Sequence, residues 1–303
     1  MMKCGLNATI IEYYGYDNIT IQFEDGVVVK EKYYDCFKKG NIKNPNLRNY
    51  NFKDRTGERR QMNNGEYATI IEYFADNNIT IQFDNGFIMK NRYYQNFKKG
   101  KVQSPVYKSL YGIGYIGIGE YKTKENNKMT SAYKAWINMF SRCYSESANK
   151  YFPTYVNCTV SEDFHCFQDF AKWYYDNMWG ENIKFQIDKD ILIKNNKVYS
   201  KDTCVLVDSK LNHILAKSSI TNGEYPIGVY FDKRLNAFTP QFKIDGKKIY
   251  LGVYNNPTDA FYRYKEAKEK YIKEIADEYK DKYNDFPDKL YNALYNYEID
   301  IND

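Results

Sequence analysis

Residues 5–45 and 65–105 align without a gap at an offset of 60, and 22 of the 41 paired positions are identical. The shared frame runs G-x-x-A-T-I-I-E-Y, then N-I-T-I-Q-F-x-x-G, then K-x-x-Y-Y-x-x-F-K-K-G. Two segments this similar are expected to fold alike, which constrains the first third of the chain before any other residue is considered. Ile19, Ile21 and Phe23 alternate with Thr20 and Gln22, the period of a strand with one buried face. Asp25-Gly26 in the first copy and Asn85-Gly86 in the second supply a tight turn into the next strand. Each copy therefore reads as a three- or four-stranded β unit of the small-barrel kind. A solenoid needs about three or more repeats, so two tandem units are expected instead.

Both copies end in Phe-Lys-Lys-Gly and run into a basic stretch. Residues 38–60 hold eight Lys or Arg against two acids, and residues 98–128 hold seven against two. Such clusters are what a phosphate backbone attracts. Lys38, Lys39, Lys98 and Lys99 occupy equivalent places and are candidate contacts to double-stranded DNA. The competing reading makes the repeats protein-interaction or spacer modules with solvated linkers. Net charge over the 303 residues is only +5, so its uneven distribution carries the nucleic-acid reading. The 33 tyrosines have two explanations as well: the codon bias of an AT-rich genome, which also favours Asn, Lys and Ile, or stacking on bases.

The six cysteines contain no C-x-x-C and the chain has two histidines, so reduced thiols are expected rather than a structural zinc. No apolar run nears the roughly 18 residues of a membrane span, and Asn7 and Glu12 interrupt any signal-peptide core after Lys3. The cytoplasm is therefore the expected location, with no membrane partner expected.

Gly112, Gly114 and Gly117 match G-x-G-x-x-G, but a polar loop follows from Tyr121 where a dinucleotide site needs a helix N-terminus. A close backbone crossing is expected there. A helix is predicted from Thr130, capped by Thr130 or Ser131, with Tyr133, Trp136, Ile137, Phe140 and Tyr144 on one face. Arg142 near its end is either a phosphate contact or a partner for helix carbonyls. A second helix is predicted from Ser161, with Glu162 and Asp163 in its first turn and Phe164, Phe167, Phe170, Ala171 and Tyr174 as its stripe. His165 beside that stripe is expected to be structural.

Residues 187–213 read IDKDILIKNNKVYSKDTCVLVDSKLNH. An apolar strand ends in Asp188, Lys189 and Asp190, and a turn follows at Asn195 and Asn196. Tyr199-Ser200 lead into a second strand over 204–207, and a helix starting at Asp208 carries Asn212 and His213. Strand, polar loop, strand and helix gather polar groups as a divalent-metal phosphodiester site does. The segment resembles the ββα core of phage HNH-type homing endonucleases, in the variants reading roughly L-D-[RK]-[ID]…N-x-Y-S-P-x-x-C…N. The resemblance implies Mg²⁺ or Mn²⁺ held by Asp188, Asp190 and Asn212. It also implies catalytic roles among Asp188, Lys189, Asp190, Asn212 and His213. That family ends its first strand in a general-base His, where this chain has Lys189 or Asp190, and His213 could supply the imidazole instead. The alternative is a scaffold kept as structure, with the chemistry gone.

Residues 228–271 read GVYFDKRLNAFTPQFKIDGKKIYLGVYNNPTDAFYRYKEAKEKY, after a loop at Asn222-Gly223. Three strands are predicted, over 228–232, 237–244 and 248–253, with Asp245-Gly246 as the second hairpin turn. Asn256 caps and Pro257 opens a helix with Ala260, Phe261, Tyr264, Ala267, Tyr271 and Ile275 on one face. This segment is similar to the ethylene-response-factor (Apetala-type) DNA-binding domain, three antiparallel strands packed on one helix. The resemblance implies that the sheet enters the major groove, with Tyr230, Lys233, Arg234, Gln241, Lys243 and Lys248 as the contacts. Arg suits guanine, Gln suits adenine and Lys suits phosphate. The Trp residues common in the plant domains are absent here.

The expected fold class is α+β and multidomain. It comprises β repeats at 1–56 and 57–108, an HNH-like ββα domain at 109–218, the ethylene-response-factor-like domain at 219–284 and a tail at 285–303 without an assigned role. The expected function is a phage-encoded, metal-dependent homing-type endonuclease working in a bacterial host cell. The alternative is an inactive relative without a cofactor. Such a protein would bind DNA as a regulator, or bind a host protein complex as an anti-defence protein.

Overall fold

A computed structural model describes residues 1–47, 54–215, 224–244 and 246–302. The expected boundary at 218/219, the Asn222-Gly223 loop and Asp245 of the second hairpin turn lie outside the described residues. Helices and several small sheets alternate along the chain, an α+β arrangement. The chain divides into two compact units, Met1–Ser104 and Pro105–Asp303.

In the first unit, β1 (Ala8–Gly15), β2 (Asn18–Phe23) and β3 (Val28–Lys32) form an antiparallel meander followed by a helical turn, α1 (Tyr34–Lys38). The second copy begins with β4 (Arg59–Gln61) and continues as β5 (Tyr67–Ala75), β6 (Asn78–Phe83), β7 (Ile88–Arg92) and α2 (Tyr94–Lys98). Registers recur pair for pair: Ala8↔Phe23 as Ala68↔Phe83, Ile10↔Ile21 as Ile70↔Ile81, with bulges at the same places. As the alternation requires, Ile19, Ile21 and Phe23 are buried in one core and Ile79, Ile81 and Phe83 in the other. Among the described residues each sheet is open rather than the expected small barrel, because three or four strands are too few to close on themselves.

The second unit opens with a hairpin of β8 (Lys124–Glu125) and β9 (Lys128–Met129), whose turn residues Asn126 and Asn127 both take positive φ. Thr130 caps α3 (Ser131–Tyr144) by accepting the Tyr133 N–H, and Ser145 caps α4 (Glu146–Tyr151) in the same way through Ala148. Next come β10 (Thr159–Val160) and a short 3₁₀ turn, and only then α5 (Phe167–Asp176). The helix expected from Ser161 starts at Phe167 because Tyr115 intervenes. Its N–H donates to His165 O at 3.0 Å and its carbonyl accepts from Phe167 N–H at 2.8 Å, which withdraws those groups from a helical ladder. That crossing also explains the glycine-rich stretch. Gly117 takes φ 77°, and a Cβ there would overlap the Cys166 sulfur beside the crossing, so glycine is needed.

The segment from β11 (Phe185–Asp188) through β12 (Val198–Tyr199) and β13 (Val205–Asp208) runs directly into α6 (Ser209–Leu215). β11 pairs antiparallel with β13, while β12 pairs in parallel with β10. The last sheet has the order β14 (Val229–Asp232), β15 (Ala237–Ile244), β16 (Lys247–Tyr250), all antiparallel. Its third strand stops before the expected position 253 because Gly252, at φ 115°, redirects the chain. Tyr254 then bonds back to Phe238 through both backbone groups, at 2.8 and 2.9 Å.

α7 (Pro257–Lys282) is capped by Asn256 and serves two cores. Its first turns bury Ala260, Phe261 and Tyr264 with Val229 under the sheet. Its second half buries Ile272, Ile275, Ala276 and Tyr279 with Trp179, Val205, Val207 and Leu211. The tail is folded too: Phe286, Leu290 and Leu294 join the second core as α8 (Asp288–Tyr295) packs on α7, and Ile299 reaches the first.

Candidate functional site

One face of the β14–β16 sheet is covered by α7: Val229, Phe238 and Phe242 belong to the core it forms. Strand alternation sends their neighbours to the other face. Register sets Tyr230 against Thr239, Gln241 against Tyr250, and Lys243 against Lys248. Tyr230, Gln241, Lys243 and Lys248, four of the six predicted contacts, therefore share the face away from α7. Tyr250 shares it as well, and so does Thr239, which is buried and donates its hydroxyl to the Tyr230 carbonyl at 3.2 Å. Their spacing of two from Gln241 and Lys248 is the signal that finds them. Tyr250 is 64% exposed, which suits a stacking platform. The Gln241 Oε1 atom is buried with no hydrogen-bond partner.

Lys233 and Arg234 lie in the β14–β15 turn, at the end of this face rather than on it. Arg234 forks onto Asp232, with Nη2 to Oδ2 at 3.0 Å and its own N–H to Oδ1 at 2.9 Å. Hydrogen bonds from Arg234 hold the Asp232 carboxyl below its usual range. The acid at the sheet's end is thus neutralised by an arginine that is itself 89% exposed along its side chain. On the covered side, Lys268 of α7 is buried, its Nζ 5.0 Å from the Phe242 ring and 5.9 Å from that of Tyr271. Burial lowers its pKa to about 8.

The ββα centre is built differently. Ile187 faces a core, so Gln186 and Asp188 share the opposite face of β11. The Asp188 Oδ1 atom accepts the N–H groups of Asp190 at 2.7 Å and Ile191 at 2.9 Å, forming the turn that leaves the strand. Burial raises the Asp188 pKa, partly offset by those two N–H groups. Lys189 is 4% exposed, and its ammonium donates to Asp190 Oδ2 at 2.7 Å and to the Asn196 carbonyl at 2.6 Å. It ties β11 to the 195–196 turn, which leaves it poorly placed to act as a base. Asn212 of α6 donates its amide to the Gln186 side chain, a partner that was not predicted. His213 is exposed on the last turn of the same helix.

Arg142 of α3 stands over the Tyr155 ring at 5.4 Å. Burial works against its charge, but Tyr155, Tyr199 and Asp188 around it more than offset that. Burial also pushes the thiols of Cys143 and Cys204 up to about 12, so neither is poised to ionise as a metal ligand. His165 donates from Nε2 to the Val160 carbonyl, 3.0 Å away.

In the first unit, Lys38, Lys39, Lys98 and Lys99 are all exposed at the ends of α1 and α2. Part of the neighbouring basic stretch is already committed. Arg59 pairs with Asp84 at 2.6 Å, and Arg55 and Arg60 each lie 3.7 Å from Glu58.

No family model, curated protein or solved structure matches the chain. Among the described residues no helix is long and apolar enough to cross a membrane.

Proposed function

We propose that the protein binds double-stranded DNA through the face of the β14–β16 sheet that α7 leaves open. The register carries this reading: it lines up Tyr230, Gln241, Lys243, Lys248 and Tyr250 on one surface, in the layout of a sheet that reads a groove. Each residue type has a role there. Lys243 and Lys248 meet phosphates, and the Gln241 amide, turned outward from its buried position, suits adenine. Lys233 and Arg234 reach beyond the sheet's end, and Lys38, Lys39, Lys98 and Lys99 add sequence-independent attraction.

Phosphodiester hydrolysis at the ββα centre is the second reading, favoured by the strand–strand–helix order and by Asp188 beside a cationic Arg142. As arranged, the donors do not fit Mg²⁺ or Mn²⁺. Asp190 is paired with Lys189, Asp188 Oδ1 is taken by two N–H groups, and Asn212 is spent on Gln186. Among the described residues no three His, Cys, Asp or Glu side chains gather as a metal cage. We therefore favour a DNA-binding regulator that keeps the ββα segment as scaffold. The deciding experiment pairs duplex binding with nicking of supercoiled plasmid in Mg²⁺ and in Mn²⁺. Salt-sensitive binding without nicking is the expected result; nicking abolished by Asp188→Asn would install the hydrolytic reading.

A further inference from the structure

The two repeats carry the same residues at Ala8/Ala68, Ile10/Ile70, Tyr13/Tyr73, Tyr34/Tyr94 and Phe37/Phe97, yet cover them unequally. In the second copy Ala68, Ile70 and Phe97 are 0% exposed, Tyr94 4% and Tyr73 6%. In the first copy Tyr13 is 57% exposed, and Ala8, Ile10, Tyr34 and Phe37 are only half-buried. The difference is made by residues 55–61. They run along the outer edge of β5, where β4 pairs Arg59 with Thr69, Arg60 with Ala68 and Gln61 with Tyr67. The ladder continues upstream, from Ile70 N–H to Glu58 O at 3.0 Å and from Gly57 N–H to Ile70 O at 2.8 Å.

Side chains complete the cover. The Arg55 guanidinium lies 4.2 Å from the Tyr94 ring centre, the Tyr94 hydroxyl donates to Glu58 at 3.1 Å, and Arg59 pairs with Asp84. The first copy keeps the receiving groups in place. Tyr13 and Tyr34 meet edge to face at 5.8 Å, as Tyr73 and Tyr94 do at 5.8 Å. Glu24 stands where Asp84 does. Among the described residues, however, β1 is an open edge.

We propose that the β1 edge is a docking site for an extended, arginine-bearing segment of a partner protein, added as an antiparallel strand in the way residues 55–61 add to β5. The second repeat displays the filled form of a site that the first presents open. The outward backbone groups of Ala8 and Ile10 supply the ladder. Tyr34 supplies a ring for one arginine and a hydroxyl for an acid three residues on, while Glu24 attracts a second arginine. An uncovered strand edge beside exposed tyrosine is otherwise a liability for a soluble chain.

The probe is a synthetic peptide of residues 54–62 added to the full chain, read by backbone amide exchange. In the free protein, the amides of Ala8 and Ile10 should exchange at least about tenfold faster than those of Ala68 and Ile70. Peptide should slow the first pair saturably and leave the second unchanged. Ala8→Pro removes an N–H that points away from β2, at a strand start that tolerates proline, and should abolish the protection. Tyr34→Ser is the second variant, and unchanged exchange at Thr9 and Gln22, which pair within the first repeat, reports that each variant is folded. No protection at millimolar peptide would overturn the proposal, as would protection that survives both variants. Equal protection of Ala8 and Ile10 by duplex DNA would make the edge a nucleic-acid surface instead. Slow exchange of both pairs in the free protein, dependent on its concentration, would assign the edge to a second copy.

Discussion

Lys268 carries a charge into a helix–sheet contact where aromatic rings face it and no acid contributes to its shift. Burial alone lowers its pKa to about 8 from the ordinary 10.5. A lysine depressed on folding costs stability while it is protonated in the native state, below about pH 8. The cost disappears as pH rises toward 10.5, because the unfolded chain then binds more protons than the native one. The gap bounds the cost at roughly 3 kcal/mol. Lys268→Met should therefore raise stability at pH 7 by about 1–3 kcal/mol, and the gain over the parent should shrink between pH 8 and 10, in urea unfolding at each pH. Lys189 is the opposite case, a buried lysine whose ammonium is satisfied. Lys189→Met should destabilise by about 1–3 kcal/mol, since Asp190 and the Asn196 carbonyl lose a donor. The sequence places polar groups at 188–190 and on α6, but no local pattern announces that Lys189 pairs with Asp190, that Asp188 takes two backbone N–H groups and that Asn212 bonds Gln186. Calorimetric titration of the parent with millimolar Mg²⁺ should give no saturable heat. Heat that is lost in the Asp188→Ala, Asp190→Ala double variant would return metal chemistry to this centre.

Elements whose boundaries are set locally were legible. Strand β15 was predicted residue for residue, and Asn256-Pro257 marked the start of α7, because alternation, a capping amide and a proline at N1 act within a few residues. Where a distant partner decides, the sequence misleads. The start of α5 is set by Tyr115, some fifty residues upstream, and the parallel pairing of β10 with β12 leaves no local mark. The acidic, tyrosine-rich composition of the tail suggests no role, although the four-residue spacing of Leu290 and Leu294 marks a buried helix face, with Phe286 joining the same core just ahead of it. On the open face of β14–β16, register separates two kinds of contact. Arg234→Ala should relax selection at one or two positions of a selected site, by about 1–3 kcal/mol against the wrong base. Lys243→Gln should weaken all duplexes alike. A binding-site selection run on each variant separates the two outcomes, and an unchanged preference in Arg234→Ala would remove that residue from base reading.

Across the whole molecule, the repeat was the most legible feature and the charge count the least. Offset, the three shared strands and the turns all recur in the fold, whereas the basic stretch at 38–60 overstated the free charge, since Arg55, Arg59 and Arg60 face Glu58 and Asp84. Neutralising Lys38, Lys39, Lys98 and Lys99 together should lower duplex affinity without altering site preference. The salt slope should fall by roughly 0.9 for each phosphate that no longer meets a lysine; an unchanged slope would leave the repeats to protein partners alone. The C-terminal sheet cannot be tested by truncation. α7 and α8 also close the core around Trp179, Val207 and Leu211, so removing them would unfold the ββα segment. The direct test changes only the open face: duplex-binding isotherms across salt concentrations for the parent and for the Lys243→Gln, Lys248→Gln, Tyr250→Ala triple variant. The account predicts at least about a tenfold loss of affinity, with the slope of log K against log salt lowered by roughly 1.8 for two phosphate contacts. A triple variant that binds duplex with the parent's affinity and slope would contradict it.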